Sequence, residues 1–421
     1  MWWEEPVDKT KPFDISKQAV WEAYLKVRAN AGAAGIDGQS LEQFEQDRTN
    51  LLYKLWNRLS SGSYFPPPVK LVEIPKKDGG VRPLGVPTIS DRIAQTMVAG
   101  ELEKIVEPIF DDDSYGYRPG RSAHDALEVC RQRCWRYDWA VDLDVKSFFD
   151  SVDHQLLLKA VAHHTGQRWI LLYVERWLQA PLAKPDGSLV ARDRGTPQGS
   201  AISPVLANLF LHYAFDAWMR RAFPSIEFER YADDAIVHCT SLAQAEQVRD
   251  AIAARLSECS LELHPDKTRI VYCKQGGRHG SYEHEAFDFL GFTFRPRKAK
   301  NRTGQFFVSF SPAVSNTAAK SMRQEIRRWR LHRRTNWTLQ QLAQAINPIV
   351  RGWINYYGRF YRSTLATAVL QQINEYLIRW AMWRYKPMRR SPKKAAQFLG
   401  RIVRSDPDLF AHWKLAPVGG G

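Results

Sequence analysis

A chain of 421 residues, 44% hydrophobic and 25% charged, has ordinary globular composition and is long enough, at ~100–200 residues per domain, for two to four domains or subdomains. The 60 Lys and Arg against 45 Asp and Glu leave a net charge of +15, which points to a polyanionic partner. No apolar run approaches the ~18 residues of a membrane span. The N-terminus, Met-Trp-Trp-Glu-Glu-Pro, lacks the basic-then-apolar order of a secretory signal, so the expected setting is a bacterial cytoplasm without a membrane partner.

Residues 13–62 read as helices and turns, with Asp14 or Ser16 capping the run through Val27 and Ala34-Gly35-Ile36-Asp37-Gly38 breaking it. Tyr64 to Val69, with consecutive prolines, is extended and leads into a strand over Val69–Pro75. The Gly-containing tip Lys76-Lys77-Asp78-Gly79-Gly80 then returns through Val81–Pro87 as a hairpin. Residues 90–137 are helical, broken by the turn from Ser114 to Arg121. From Trp139 to Val145, Val141, Leu143 and Val145 alternate with Asp142 and Asp144, so a half-buried strand presents two carboxylates on one face. Spacing does not choose between them.

Helices follow to Gln179, then a loop carrying Gly195-Thr196-Pro197-Gln198-Gly199. Ser203 and Pro204 open a helix whose Leu206, Phe210, Tyr213 and Ala217 form one stripe. Phe228–Cys239 is apolar on both sides of Tyr231-Ala232-Asp233-Asp234 and reads as two strands joined at an acidic turn. Helix, strand and hairpin signals continue to Phe294, and about three helices lie between 315 and 386. The cysteines, an odd five, lack framework or metal-site spacing beyond the helical pair Cys130 and Cys134, and are expected to be reduced core thiols.

The charge is concentrated. Residues 295–404 hold 24 Lys and Arg against two acids, Glu325 and Glu375, a net of +22 that leaves −7 for the remainder. Trp329, Trp337, Trp353, Tyr356, Tyr357, Phe360, Trp380, Trp383 and Tyr385 lie among these cations, either as core or as nucleic-acid contacts.

Two adjacent carboxylates at a tight turn between apolar strands repel each other, and a divalent cation resolves the conflict. A further carboxylate from the strand at 139–145 completes a set able to hold two ions ~3.5–4 Å apart, the arrangement used in phosphoryl transfer.

The chain resembles the group II intron-encoded reverse transcriptases, or maturases, over almost its whole length. The matching segments, in family order, are Ile-Pro-Lys-Lys-Asp-Gly-Gly-Val-Arg-Pro-Leu-Gly-Val-Pro (74–87), Ser-Tyr-Gly-Tyr-Arg-Pro-Gly-Arg-Ser (114–122), Asp-Val-Lys-Ser-Phe-Phe-Asp-Ser-Val-Asp-His (144–154), Arg-Gly-Thr-Pro-Gln-Gly (194–199), Tyr-Ala-Asp-Asp (231–234), Phe-Leu-Gly-Phe (289–292) and Asn-Pro-Ile-Val-Arg-Gly-Trp-Ile-Asn-Tyr-Tyr (347–357). The resemblance implies an α+β right-hand polymerase, fingers and palm built on antiparallel sheet, followed by a three-helix thumb, the maturase domain. The expected division is an N-terminal extension over 1–68, fingers and palm over 69–295, thumb over 296–386 and a short basic tail over 387–421.

Carried over residue by residue, the resemblance implies that Asp144, Asp233 and Asp234, with the main-chain carbonyl of Val145, hold two Mg²⁺. Lys76 and Arg82 would bind the incoming dNTP, Phe149 would exclude a ribose 2′-hydroxyl, and Gln198 would pack near nucleotide and template. Lys267 is placed like a palm lysine acting at the phosphates. The implied activity is RNA-directed DNA polymerisation. Its partners would be group II intron RNA, an RNA template with a DNA or RNA primer, target DNA and a second copy of the chain, in the service of splicing and retrohoming. The rival is a domesticated, defence or DNA-repair reverse transcriptase without an intron. Only ~35 residues follow Tyr385, without paired cysteines or a histidine cluster, so a metal-dependent endonuclease is not expected.

Overall fold

The structure, a computed structural model, describes residues 11–75, 80–301 and 303–418. Among them are eleven strands: β1 (Val69–Pro75), β2 (Val81–Val86), β3 (Trp139–Leu143), β4 (Leu182–Ala183), β5 (Leu189–Val190), β6 (Glu227–Tyr231), β7 (Asp234–Cys239), β8 (Arg269–Tyr272), β9 (Phe287–Phe289), β10 (Phe292–Lys300) and β11 (Phe306–Val314). They form sheets ordered β2-β1-β4-β5, β6-β7-β3-β8 and β11-β10-β9. The chain divides into two compact units. One comprises residues up to Ser122 with Leu143–Val237 and Glu246–Thr268; the other comprises Ala123–Asp142, His238–Ala245 and everything from Arg269. No helix among the described residues is long and apolar enough to cross a membrane, and all five cysteines are buried and outside any disulfide.

In the second unit β3 and β8 pair antiparallel from Trp139 opposite Tyr272 to Asp142 opposite Arg269. The Phe-Leu-Gly-Phe segment turns through Leu290 and Gly291, both at positive φ, between β9 and β10. The Tyr356 hydroxyl donates to the Leu290 carbonyl at 2.9 Å, fastening this turn to the helix Leu339–Tyr357. The three expected thumb helices are Asn316–Trp329, Leu339–Tyr357 and a run from Arg362 to Arg384 that contains a π turn. Most of their aromatics are core: Trp380 is fully buried, and Trp329 stacks on Trp353 at 5.4 Å. Trp383 is the exception, 58% exposed.

The stretch from 387, expected as a basic tail, is part of that core. Helix Pro392–Ser405 buries Ala395 and Leu399, and Phe410 and Trp413 follow them into the same cluster. Its basic residues lie on the face opposite this apolar stripe, which is why charge alone reads as a tail. Two buried asparagines clasp it: Asn347 donates to the Leu409 carbonyl and accepts from the Ala411 amide at 2.9 Å each, and Asn374 donates to the Ala416 carbonyl at 2.8 Å.

The first unit opens on helices set by their caps. Ser16 starts Lys17–Asn30, and Thr88 starts Ile89–Val106. At its centre Asp91, fully buried, accepts from the Tyr64 hydroxyl and the Trp177 indole at 2.7 Å each and from the Gln95 amide at 3.0 Å. Burial pushes its carboxyl up to about 6, against the pull of those three bonds. Gln95 accepts in turn from the Ser200 hydroxyl at 2.6 Å and the Ala201 amide at 2.8 Å, tying the loop that follows Gln198 to the helix Ile89–Val106.

The helix begun at Ser203 departs from the expected stripe. After Leu211 it makes a π turn over His212–Asp216. The wider turn rotates the face, so Ala214, Phe215 and Asp216 are buried where the 3.6-residue period points to Tyr213 and Ala217. Asp216 thereby meets Arg230 of β6 in a bidentate pair of 2.7 and 2.5 Å, both side chains shielded from water. Removing one partner of a buried pair strands the other charge. Asp216→Ala is expected to lower stability by about 3–5 kcal/mol, read by chemical denaturation.

Candidate active site

The site lies at the turn between β6 and β7. Ala232 takes a left-handed φ of 57° there, and Asp233 and Asp234 follow. Arg230 holds the turn from beneath: its Nη1 donates to the Ala232 carbonyl at 2.8 Å and to the Asn208 side chain at 3.0 Å. Asn208 donates on to the Gly116 carbonyl at 2.7 Å. A Cβ on Gly116 would lie 2.3 Å from the Ala232 nitrogen, so the Ser114–Arg121 turn can seat against the acidic turn only with glycine at that position.

Asp144 follows directly on β3. Its carbonyl accepts from the His264 amide at 2.8 Å, and Val145 bridges Leu263, so the segment 262–268 fixes both residues. Lys267, from that segment, stands 3.6 Å from the Asp144 carboxylate. Asp233 is raised above the ordinary carboxylate range by burial and by Asp144, opposed by Arg82 and Arg230. Asp234 is accessible at the start of β7, yet surrounding protein withdraws its carboxyl from bulk water, and with Asp233 and Asp144 adding like charge it is pushed up to about 7; Lys267 opposes them. The structure thus brings Asp144, Asp233, Asp234 and Lys267 into one electrostatic group. Asp142, the alternative by alternation, lies opposite Arg269 in the β3–β8 ladder.

The other expected residues fall around this group. Arg82 on β2 donates through Nε to the Gln198 side chain at 2.5 Å, and the Gly85 amide donates to the Gln198 carbonyl at 2.7 Å, so hairpin and loop dock together. Phe149 is buried in the short helix Phe148–Ser151, edge-on to Phe148. Its carbonyl accepts from the Thr196 amide at 2.7 Å. Gly195, at φ 78°, comes so near that a Cβ would meet Asp150 and the Phe149 carbonyl at 2.9 Å. Lys76 lies outside the described residues.

Three participants were not anticipated. Arg230 and Asp216 are the support just described. Their one sequence signal is a charge inside an otherwise apolar strand, since Phe228–Cys239 carries Glu229 and Arg230 before the acidic turn. Tyr117 also adjoins the group: burial and then Asp233 raise its hydroxyl. Its signal was its place in the Ser-Tyr-Gly-Tyr-Arg-Pro-Gly-Arg-Ser segment.

The donor set suits a hard divalent cation. Asp144, Asp233 and Asp234 gather their carboxylates in one place, and burial together with this like charge raises Asp233 and Asp234 against the pull of Arg82, Arg230 and Lys267, so the group offers negative charge and oxygen ligands to a hard cation.

Comparison with known proteins identifies the family. The profile of the reverse transcriptase (RNA-dependent DNA polymerase) family matches residues 74–294, and that of the group II intron maturase-specific domain matches residues 319–398. Protein YkfC of Escherichia coli is 30% identical over 316 residues, covering 66% of this chain and 79% of YkfC. The group II intron-encoded protein LtrA of Lactococcus lactis is 34% identical over 193 residues, 45% of this chain but 32% of LtrA, so the matched part spans about a third of that relative. Telomerase from Candida albicans, solved with a fragment of telomeric RNA, aligns at a TM-score of 0.46 and 12% identity over 89% of this chain and 67% of that one. With the polymerase profile matched over more than half of its length and the maturase-specific profile behind it, the chain belongs to the reverse transcriptase family, the RNA-directed DNA polymerases.

Proposed function

We propose that the chain is a group II intron-encoded polymerase that adds deoxynucleotides to a primer on an RNA template, and that its C-terminal domain grips intron RNA to assist splicing and retrohoming into target DNA. What supports the polymerase reading above all is the convergence of Asp144, Asp233 and Asp234, from two separate strand ends, beside the docked pair Arg82 and Gln198. In this reading fingers and palm occupy 69–295 and the thumb begins at 296.

Asp144, Asp233, Asp234 and the Val145 carbonyl would hold two Mg²⁺, which when bound would acidify the primer 3′-hydroxyl and offset phosphate charge. The chain's own groups do the positioning. The 3′-oxygen bonds to the α-phosphorus as the bond to the bridging oxygen breaks, and pyrophosphate leaves. Lys76 and Arg82 take its charge, Arg82 as a fork and Lys76 as a point cation. Gln198 fixes the fork's orientation through the bond it already makes to Nε. Lys267 limits repulsion among the carboxylates from its place beside Asp144. Phe149, held by its neighbours in the short helix, leaves no room for a 2′-hydroxyl.

The basic helices supply backbone grip, with one exception. Arg323 donates to the Ala368 carbonyl at 3.0 Å and is structural, while Arg327, Arg328 and Arg330 are exposed.

Asp233→Ala is expected to reduce extension of a DNA primer on an RNA template by about a thousandfold or more; a wild-type rate from folded protein would reject the site. Phe149→Val is expected to raise ribonucleotide relative to deoxynucleotide kcat/KM by about 10–100-fold, measured by single-nucleotide incorporation. Replacing Arg327, Arg328 and Arg330 together with Gln should weaken RNA binding and make the slope of log affinity against log salt shallower by about two.

A further inference from the structure

β10 and β11 continue as a two-stranded ribbon beyond their third strand. β9 pairs only with Phe292–Phe294, whereas the β10–β11 ladder runs on to Lys300 opposite Phe306. Near its end three consecutive apolar residues face water: Phe306, Phe307 and Val308 are 63%, 46% and 42% exposed. Phe306 and Val308 share one face of the ribbon and Phe307 the other, and exposed apolar side chains of this kind mark an interaction surface. The register places Lys300 opposite Phe306 and Lys298 opposite Val308, on one face. The Lys298 ammonium sits 4.1 Å from the Phe306 ring centroid and that of Lys300 5.8 Å. No Asp or Glu occurs from Arg295 to Gln324.

The occupant must answer both features. Lysines without acids call for an anion, and the exposed Phe306 ring beside them calls for a flat apolar partner. A second copy would set lysines against lysines. A duplex would present phosphates with its bases already stacked inside. An unpaired nucleic acid offers phosphates and base faces together, and stacking on aromatic side chains beside cations is how such strands are held. The ribbon also runs through the cap Ser315 straight into the helix Asn316–Trp329, where the maturase-specific match begins.

We propose that one face of the ribbon tip, Phe306 and Val308 flanked by Lys298 and Lys300, is a stacking platform for unpaired nucleotides of the RNA that the C-terminal domain grips. The assignment rests on the RNA-binding reading above.

Anisotropy titration of the full chain with a short labelled oligouridylate tests it. Phe306→Ala should weaken binding about fivefold or more, Phe306→Trp should keep or exceed wild-type affinity, and Phe307→Ala, on the opposite face of the ribbon, should leave affinity within about twofold. Lys298→Gln should make the salt dependence shallower. Unchanged affinity in Phe306→Ala, while the Arg327, Arg328 and Arg330 replacement still weakens binding, overturns the platform and leaves the domain's RNA grip standing. If the wild type does not bind the oligouridylate, both readings fall. A preference for oligodeoxythymidylate with the same dependence on Phe306 overturns the RNA assignment. Loss of a dimer in Phe306→Ala on sedimentation, at unchanged RNA affinity, gives the tip to a second copy instead.

Discussion

The buried ion pair between Arg230 and Asp216 is the constraint on which the candidate active site hangs. A guanidinium and a carboxylate lie out of water, joined by two bonds of 2.7 and 2.5 Å. Burying them is costly in desolvation, and a well-packed apolar pair could serve stability as well. What the ion pair adds is a third and a fourth donor bond from the same guanidinium. One reaches the carbonyl at the left-handed residue of the acidic turn, and the other reaches Asn208, whose amide holds the Gly116 turn against it. One planar group therefore fixes the turn, the helix behind it and the loop beside it.

That rigidity matters because the turn carries an electrostatic conflict. Asp233 and Asp234 are covalent neighbours and Asp144 adds a third negative charge; burial first, and this like charge after it, raises Asp233 and Asp234 above the ordinary carboxylate range. A flexible turn would relax by swinging a carboxylate into solvent. The bonds from Arg230, with the seating of Asp144 and Val145 against 263 and 264, resist that relaxation and keep the charges together for a cation to neutralise.

Much of this could be read from the chain because it is local. Asp233 and Asp234 are adjacent, Asp144 stands in an alternating strand, and the β1–β2 hairpin announces itself by its tip. The supports could not, because they depend on geometry that periodicity does not encode. The stripe Leu206, Phe210, Tyr213, Ala217 assumes a uniform α-helix, and the π turn at His212–Asp216 shifts the buried face onto Asp216. Likewise the basic stretch after 387 looks solvated by charge count, since a helix with one apolar stripe and cations elsewhere has the composition of a tail. Arg323 and Arg327 are indistinguishable as letters in a basic run; only packing separates the arginine that caps a carbonyl from the one that faces water.

The clasp formed by Asn347 and Asn374 bears on the order in which the C-terminal domain can be completed. Both amides sit within the cluster, and their partners, the backbone at Leu409, Ala411 and Ala416, come from much later in the chain. Until those residues emerge from the ribosome the two side chains face unmet polar demand, and the pocket for Phe410 and Trp413 stands open. The helices from Asn316 to Arg384 can form earlier, but their final closure waits for the stretch that follows them. The segments made first would then be in place well before the C-terminal domain closes, an ordering built into the chain by two asparagines.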